Sequence, residues 1–121
     1  MEDKPATPES TPGPKRINIH QFFETELRVA EVLAAERVEN ADRLLKLQID
    51  LGNEKRQLVA GIAQAYRAED LVGKRIVVVA NLEPARIRGV ESQGMLLAAD
   101  VDGRPVVATF DEPVPAGTPI K

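Results

Sequence analysis

The sequence has no cysteine and no tryptophan, a single histidine, a single tyrosine and three phenylalanines in 121 residues. Without Cys there is no disulfide, no thiolate metal site and no cysteine nucleophile, and a reducing, cytoplasmic setting is the expectation that fits. The lone His20 has no grouped partners for a metal site. No Ser-His-Asp set, phosphate-binding loop or dinucleotide fingerprint can be assembled, so no enzyme activity, cofactor or metal is expected. So few rings leave little surface for stacking bases. No apolar run approaches the ~18 residues that cross a bilayer, and the N-terminus has no signal-peptide core, so no membrane partner is expected.

An excess of positive charge is also missing. The formal net charge is −3, which argues against a generic nucleic-acid binder, because affinity for phosphate comes largely from Lys and Arg. The distribution softens that objection. Residues 1–36 carry four basic against seven acidic side chains and residues 95–121 carry two against four, whereas residues 37–94 carry ten against eight. A local basic patch on an acidic protein is compatible with this, although on charge alone a solvated surface is the simpler reading.

What is present is one domain's worth of aliphatic residues, at 43% hydrophobic. Residues 1–16 contain four prolines and almost nothing apolar, and read as a disordered tail or linker; the folded domain is expected over 17–121. Ile19, Phe22 and Phe23 interleave with polar residues at a spacing that predicts a short N-terminal amphipathic helix packed on the domain, capped by Asn18. A first strand is expected from Leu27 and continues to Val38, before a turn at Asn40-Ala41-Asp42. Leu45, Leu47, Ile49 and Leu51 alternate with polar residues as a half-buried second strand, which a hairpin signal closes at Gly52-Asn53. A third strand over 56–60, a helical connection over 62–71, a fourth strand over 75–80 buried on both faces, and a last strand region over 95–99 complete the pattern. The Asp102-Gly103 turn and Val106-Val107 add a closing hairpin. Five strands with a helical connection between the third and fourth is the layout of an all-β OB-fold barrel.

The runs L-R-V-A-E-V (27–32), D-R-L-L-K-L (42–47), V-A-G-I-A (59–63), L-V-G-K-R-I-V-V-V-A-N-L (71–82) and G-V-E-S-Q-G-M-L-L-A (89–98) resemble the tRNA-binding domain family. That family includes the C-terminal domain of bacterial methionyl-tRNA synthetases, free-standing structure-specific tRNA-binding proteins and a related export-associated chaperone. The resemblance implies an OB-fold that pairs into a homodimer and binds the body of tRNA with little regard to its sequence. Carried over by motif, Asn81, Ser92 and Met95 are implied as tRNA-contacting or site-shaping positions. The intact S-Q-G-M favours tRNA over the chaperone branch. Ala30 stands where relatives often carry Gly, a substitution that fits unless the position needs positive φ or a close backbone contact.

Beside the resemblance, the residues themselves nominate a surface. Arg86 and Arg88 lie in Pro84-Ala-Arg-Ile-Arg-Gly89, read as a loop fixed at both ends that presents guanidinium groups to phosphates. Ser92, Gln93 and Met95 around Gly94 supply a hydroxyl, an amide and a soft apolar surface for unstacked RNA; the alternative is a turn entering a strand with Met95 in the core. Lys46, Arg56, Lys74 and Arg75 extend the patch if their strands share the exposed face. The leading expectation is a non-catalytic tRNA-binding module serving an aminoacyl-tRNA synthetase, methionyl by resemblance, to which it is tethered or associated. A peptide-binding, chaperone-like dimer and a dimerisation module without ligand remain open.

Overall fold

In a computed structural model that describes residues 15–121, the alternation of Leu45, Leu47, Ile49 and Leu51 becomes the centre of the core, each side chain fully buried. They line strand β2 (Ala41–Asp50) and the residue after it, and meet Val32 of β1 (Leu27–Val38), Leu58 of β3 (Lys55–Ala60), and Ile76 and Val78 of β4 (Arg75–Val79) in one cluster. Removing such a side chain from water is worth ~1.5–3 kcal/mol. The expected tail falls outside the described residues except for Lys15 and Arg16, both exposed.

Strand β1 organises the sheet. Its first half pairs antiparallel with β4, Leu27 opposite Val79 through Glu31 opposite Arg75; its second half pairs with β2, Glu31 opposite Asp50 through Val38 opposite Ala41. Two register shifts in the β1–β2 ladder, between Val32 and Ala34 and between Arg37 and Val38, mark irregularities of the bulge kind that bend a strand. Ala30 is fully buried opposite Ile76 and has no positive φ, so Ala satisfies the position.

The chain is all-β, as expected, but it has more and shorter strands than five. After β4 come β5 (Ala85–Ile87), β6 (Val90–Ser92), β7 (Met95–Leu96), β8 (Ala98–Val101), β9 (Arg104–Val107) and β10 (Pro119–Ile120). The main ladder path runs β3-β2-β1-β4-β7, with β10 on β1, and strand pairing does not close it into a barrel. The helical connection over 62–71 is reduced to one turn, α2 (Ala68–Leu71), preceded by tight turns, with Leu71 buried against the core. Strand β4 is not buried on both faces throughout: Ile76, Val78 and Val79 are buried while Val77 is half-buried. The Asp102-Gly103 hairpin forms as read, with φ of 53° and 87° across its two-residue loop.

The N-terminal helix, α1 (Ile19–Phe22), also forms. The Asn18 carboxamide oxygen accepts from the Gln21 N–H while the Gln21 side chain accepts from the Asn18 N–H, both at 2.8 Å, a reciprocal cap. It does not pack on the domain as its spacing suggests. Ile17, Ile19 and Phe23 are 60%, 58% and 55% exposed, because no element of the described fold covers them.

The C-terminal segment closes the opposite flank of β1. Val29 N–H donates to Thr118 O at 2.9 Å and Gly117 N–H donates to Val29 O at 2.7 Å. This brings Gly117 across Gly52 of the β2–β3 turn, and a Cβ on Gly117 would lie 2.6 Å from Leu51 O at a φ of +90°. Gly117→Ala is therefore expected to destabilise the domain by about 1–3 kcal/mol in urea unfolding; a variant within 0.5 kcal/mol of wild type, on the order of ordinary surface changes, would show that this crossing is not held.

Candidate nucleic-acid interface

The stretch around Arg86 and Arg88, expected as a loop, is an antiparallel hairpin in which Ala85 faces Ser92, Arg86 faces Glu91 and Ile87 faces Val90. Its two-residue turn is Arg88–Gly89, with φ of 53° and 82°. Positive φ at both positions is what a turn matching the strand twist requires, and a short ladder holds the arginines more firmly than a loop would. Both are exposed. Arg86 Nη1 donates to Gly89 O at 2.8 Å, and Arg88 Nη2 donates to Asn40 O at 2.7 Å, which joins the hairpin to the β1–β2 turn. Carbonyl partners orient a guanidinium and leave its charge uncancelled.

The S-Q-G-M residues hold that hairpin to β3. Ser92 is 4% exposed; its hydroxyl accepts from the buried Val59 N–H at 2.9 Å and donates to Gly94 O at 3.0 Å. Gln93 N–H donates to Gln57 O at 2.8 Å, and its side-chain oxygen accepts from Gln57 N–H at 3.1 Å. Gly94 has φ +139°, and a Cβ there would come 3.0 Å from Val79 O. Ser92 and Gln93 are therefore occupied in a seam, with Ser92 facing inward. Met95 is 49% exposed on β7, opposite Val79, so the core alternative for it does not hold.

Asn81 bridges elements. Its Oδ1 accepts from Glu26 N–H and its Nδ2 donates to Glu24 O, both at 2.7 Å, which fastens the link between α1 and β1 to the end of β4. The extended patch is not assembled as one set. Lys46 pairs across the ladder with Glu36 at 2.8 Å. Arg75 Nε donates to Val114 O at 3.0 Å and its Nη1 lies 3.5 Å from Glu31, while Lys74 is exposed at the same α2–β4 corner. Arg56 donates to the carbonyls of Ala80 and Gln93 and pairs with Glu54, whose carboxyl is held below its ordinary pKa by that hydrogen bond. The sequence reading missed Gln57, whose Nε2 donates to Glu91 O at 2.8 Å and whose Oε1 accepts from Gln48 at 3.1 Å. No local pattern marks it, because its partners are distant in the chain.

Among the described residues no cluster of three metal-ligating side chains occurs, and no helix is long and apolar enough to cross a membrane. Ser92→Ala is expected to cost about 1–3 kcal/mol, since it strands a buried N–H, and Met95→Ala about 1 kcal/mol or less. Denaturant titration of both variants checks the ordering; a larger loss for Met95 would reverse the assignment of inside and outside.

Residues 27–119 match the family described as "Putative tRNA binding domain". The chain is 53% identical over 120 residues to the methionine–tRNA ligase of Bacillus subtilis, covering 99% of this chain and 18% of that enzyme. It is 56% identical over 105 residues to that of Methanothrix thermoacetophila, 87% of this chain and 16% of the enzyme. It thus spans under a fifth of the length of these relatives. Among solved structures, a MetRS-related protein from Pyrococcus horikoshii superposes with a TM-score of 0.84 at 37% identity, covering 89% of this chain and all of that one. The chaperone CsaA from Bacillus anthracis superposes at 0.81 with 31% identity, covering 88% of this chain and all of that one. Sequence and architecture agree: the chain belongs to the tRNA-binding domain family.

Proposed function

We propose that this chain is a non-catalytic module that binds tRNA and raises tRNA capture by a methionyl-tRNA synthetase, in the cytoplasm. The observation that carries this reading is the β5–β6 hairpin, which holds Arg86 and Arg88 exposed, aimed through carbonyl contacts and in no ion pair among the described residues, with Glu91 opposite Arg86 offsetting part of its field. Two fixed guanidinium groups suit phosphate oxygens, which position a nucleic acid without reading its sequence. Half-exposed Met95 follows the seam and offers a soft apolar surface. Kinship with methionine–tRNA ligases supports the synthetase as partner, whether by tether through residues 1–16 or by association.

We also read the strand path as an OB-type barrel. Its open seam, between β3 and residues 91–94, is bridged by the Gln57, Ser92 and Gln93 hydrogen bonds in place of a regular ladder. In that fold the face of the second and third strands and the loops beside it take oligonucleotides, and Arg88 on Asn40 joins two such loops.

A homodimer completes the proposal. Ile17, Ile19 and Phe23 expose more apolar surface than a four-residue helix needs for itself. Phe23, Leu27, Pro119 and Ile120 line an adjoining apolar groove of about 370 Å³. A two-fold contact there would present two hairpins to one tRNA. The same groove and the likeness to CsaA favour a second reading, capture of apolar peptide.

Replacing Arg86 or Arg88 by Ala is expected to lower the slope of log affinity against log salt by roughly 1 each, with similar affinities for two unrelated tRNAs. Unchanged slopes would remove the hairpin from the interface, and competition by an unfolded polypeptide instead of tRNA would favour the second reading. Light scattering is expected to give twice the 13.2 kDa chain mass; a monomer across micromolar concentrations refutes the pairing.

A further inference from the structure

Beyond the hairpin, a separate cleft of about 210 Å³ lies between the turn after β3 and the β8–β9 hairpin. Arg43, Gln64 and Arg104 line it together with Gly61, Gly103 and Pro105. Both arginines are exposed, and neither forms an ion pair or side-chain hydrogen bond with the described residues. Two guanidinium groups in one small cleft repel each other, so the arrangement is favoured when an anion lies between them.

The walls suit such an anion. Positions where Cβ atoms would project from Gly61 and Gly103 have nothing within 4 Å, so the backbone on both sides is open to a ligand. The cleft is anchored to the strand that carries Arg43, because Ala63 N–H donates to Arg43 O at 3.0 Å. Of the nearby acids, Asp100 accepts the Gly103 N–H at 2.7 Å and, still charged, offsets part of the arginines' field. Asp42 and Asp102 are exposed beside Arg43 and Arg104 and offset part of their field. The position is also telling: the β1–β2 turn that receives Arg88 at Asn40 O leads three residues later to Arg43.

We propose that this cleft is a second phosphate site, in which Arg43 and Arg104 clamp a backbone phosphate of the RNA whose other contacts lie on the β5–β6 hairpin, with Gln64 donating to a phosphate or ribose oxygen. This rests on the tRNA-binding reading and extends its footprint across the β1–β2 turn. It gives a use to two arginines that stay out of ion pairs among the described residues, on a surface that the hairpin does not include.

The test uses the full chain with two probes. With inorganic phosphate, backbone amide resonances of Gly61, Ala65 and Gly103 are expected to shift, and the shifts to vanish in Arg43→Gln and Arg104→Gln. With tRNA, each of these variants is expected to reduce the salt slope by roughly 1, as for a lost phosphate contact. Gly61→Leu, which adds a side chain to open space without a positive φ to strain it, is expected to abolish the phosphate-induced shifts while the rest of the spectrum stays native. Phosphate-induced shifts with unchanged tRNA slopes would mean that the cleft takes a free anion and would overturn the proposal, as would the absence of both effects. Wild-type protein without tRNA affinity would overturn the functional reading itself, an outcome that the wild-type titration separates from failure of the cleft alone.

Discussion

Strand β3 is the last member of the main ladder, so the outward amides of Gln57 and Val59 have no neighbouring strand to satisfy them. Val59 is 6% exposed, and a buried N–H without a partner costs about 1–3 kcal/mol. The Ser92 hydroxyl accepts from Val59 N–H and the Gln93 side-chain oxygen accepts from Gln57 N–H, while Gln93 N–H donates back to Gln57 O. Because Gly94 then approaches Val79 O more closely than a side chain would permit in comfort, the chain passes directly from that seam into β7 on the edge of β4. The four residues 92–95 therefore tie two sheet edges together, and the β5–β6 hairpin before them inherits its orientation from the tie.

This arrangement separates two meanings of a motif. Ser92 and Gln93 stand out in the sequence as polar groups suited to RNA, yet their hydrogen-bonding capacity is largely occupied within the protein. Arg86 and Arg88 are the groups presented outward. Asn81 behaves like Ser92: its carboxamide bonds the backbone of Glu24 and Glu26, which holds the link between α1 and β1 to the end of β4.

The β2 strand was legible because its period of two follows from burying one face, and Leu45, Leu47 and Ile49 are buried as that period requires. The Asp102-Gly103 hairpin was legible because its backbone needs residues that tolerate positive φ. The β5–β6 hairpin was not, since two three-residue strands are too short to show a period and Arg at a positive φ is a poor turn signal. The seam was hidden for another reason: Ser92 bonds a backbone group 33 residues away, a relation that no local window contains. For α1 the spacing was read correctly and its consequence was not, because amphipathicity says that a face will be covered without saying by what.

Charge follows the same division between occupied and presented groups. Arg28, Lys46, Arg56, Arg67 and Arg75 each lie against a carboxylate, which cancels most of their field at distances well beyond the pair's own separation. Around the β1–β2 turn the pattern differs. Arg88 donates to Asn40 O in the turn and Arg37 to Asp42 O at the start of β2, and Arg43 follows with no ion pair among the described residues. A carbonyl fixes where a guanidinium points without neutralising it. Since screening limits the reach of exposed charges to about 8–10 Å at ordinary salt, the field at this turn is set by these arginines and the acids beside them, Glu39 and Asp42 among them, more than by the net charge of −3.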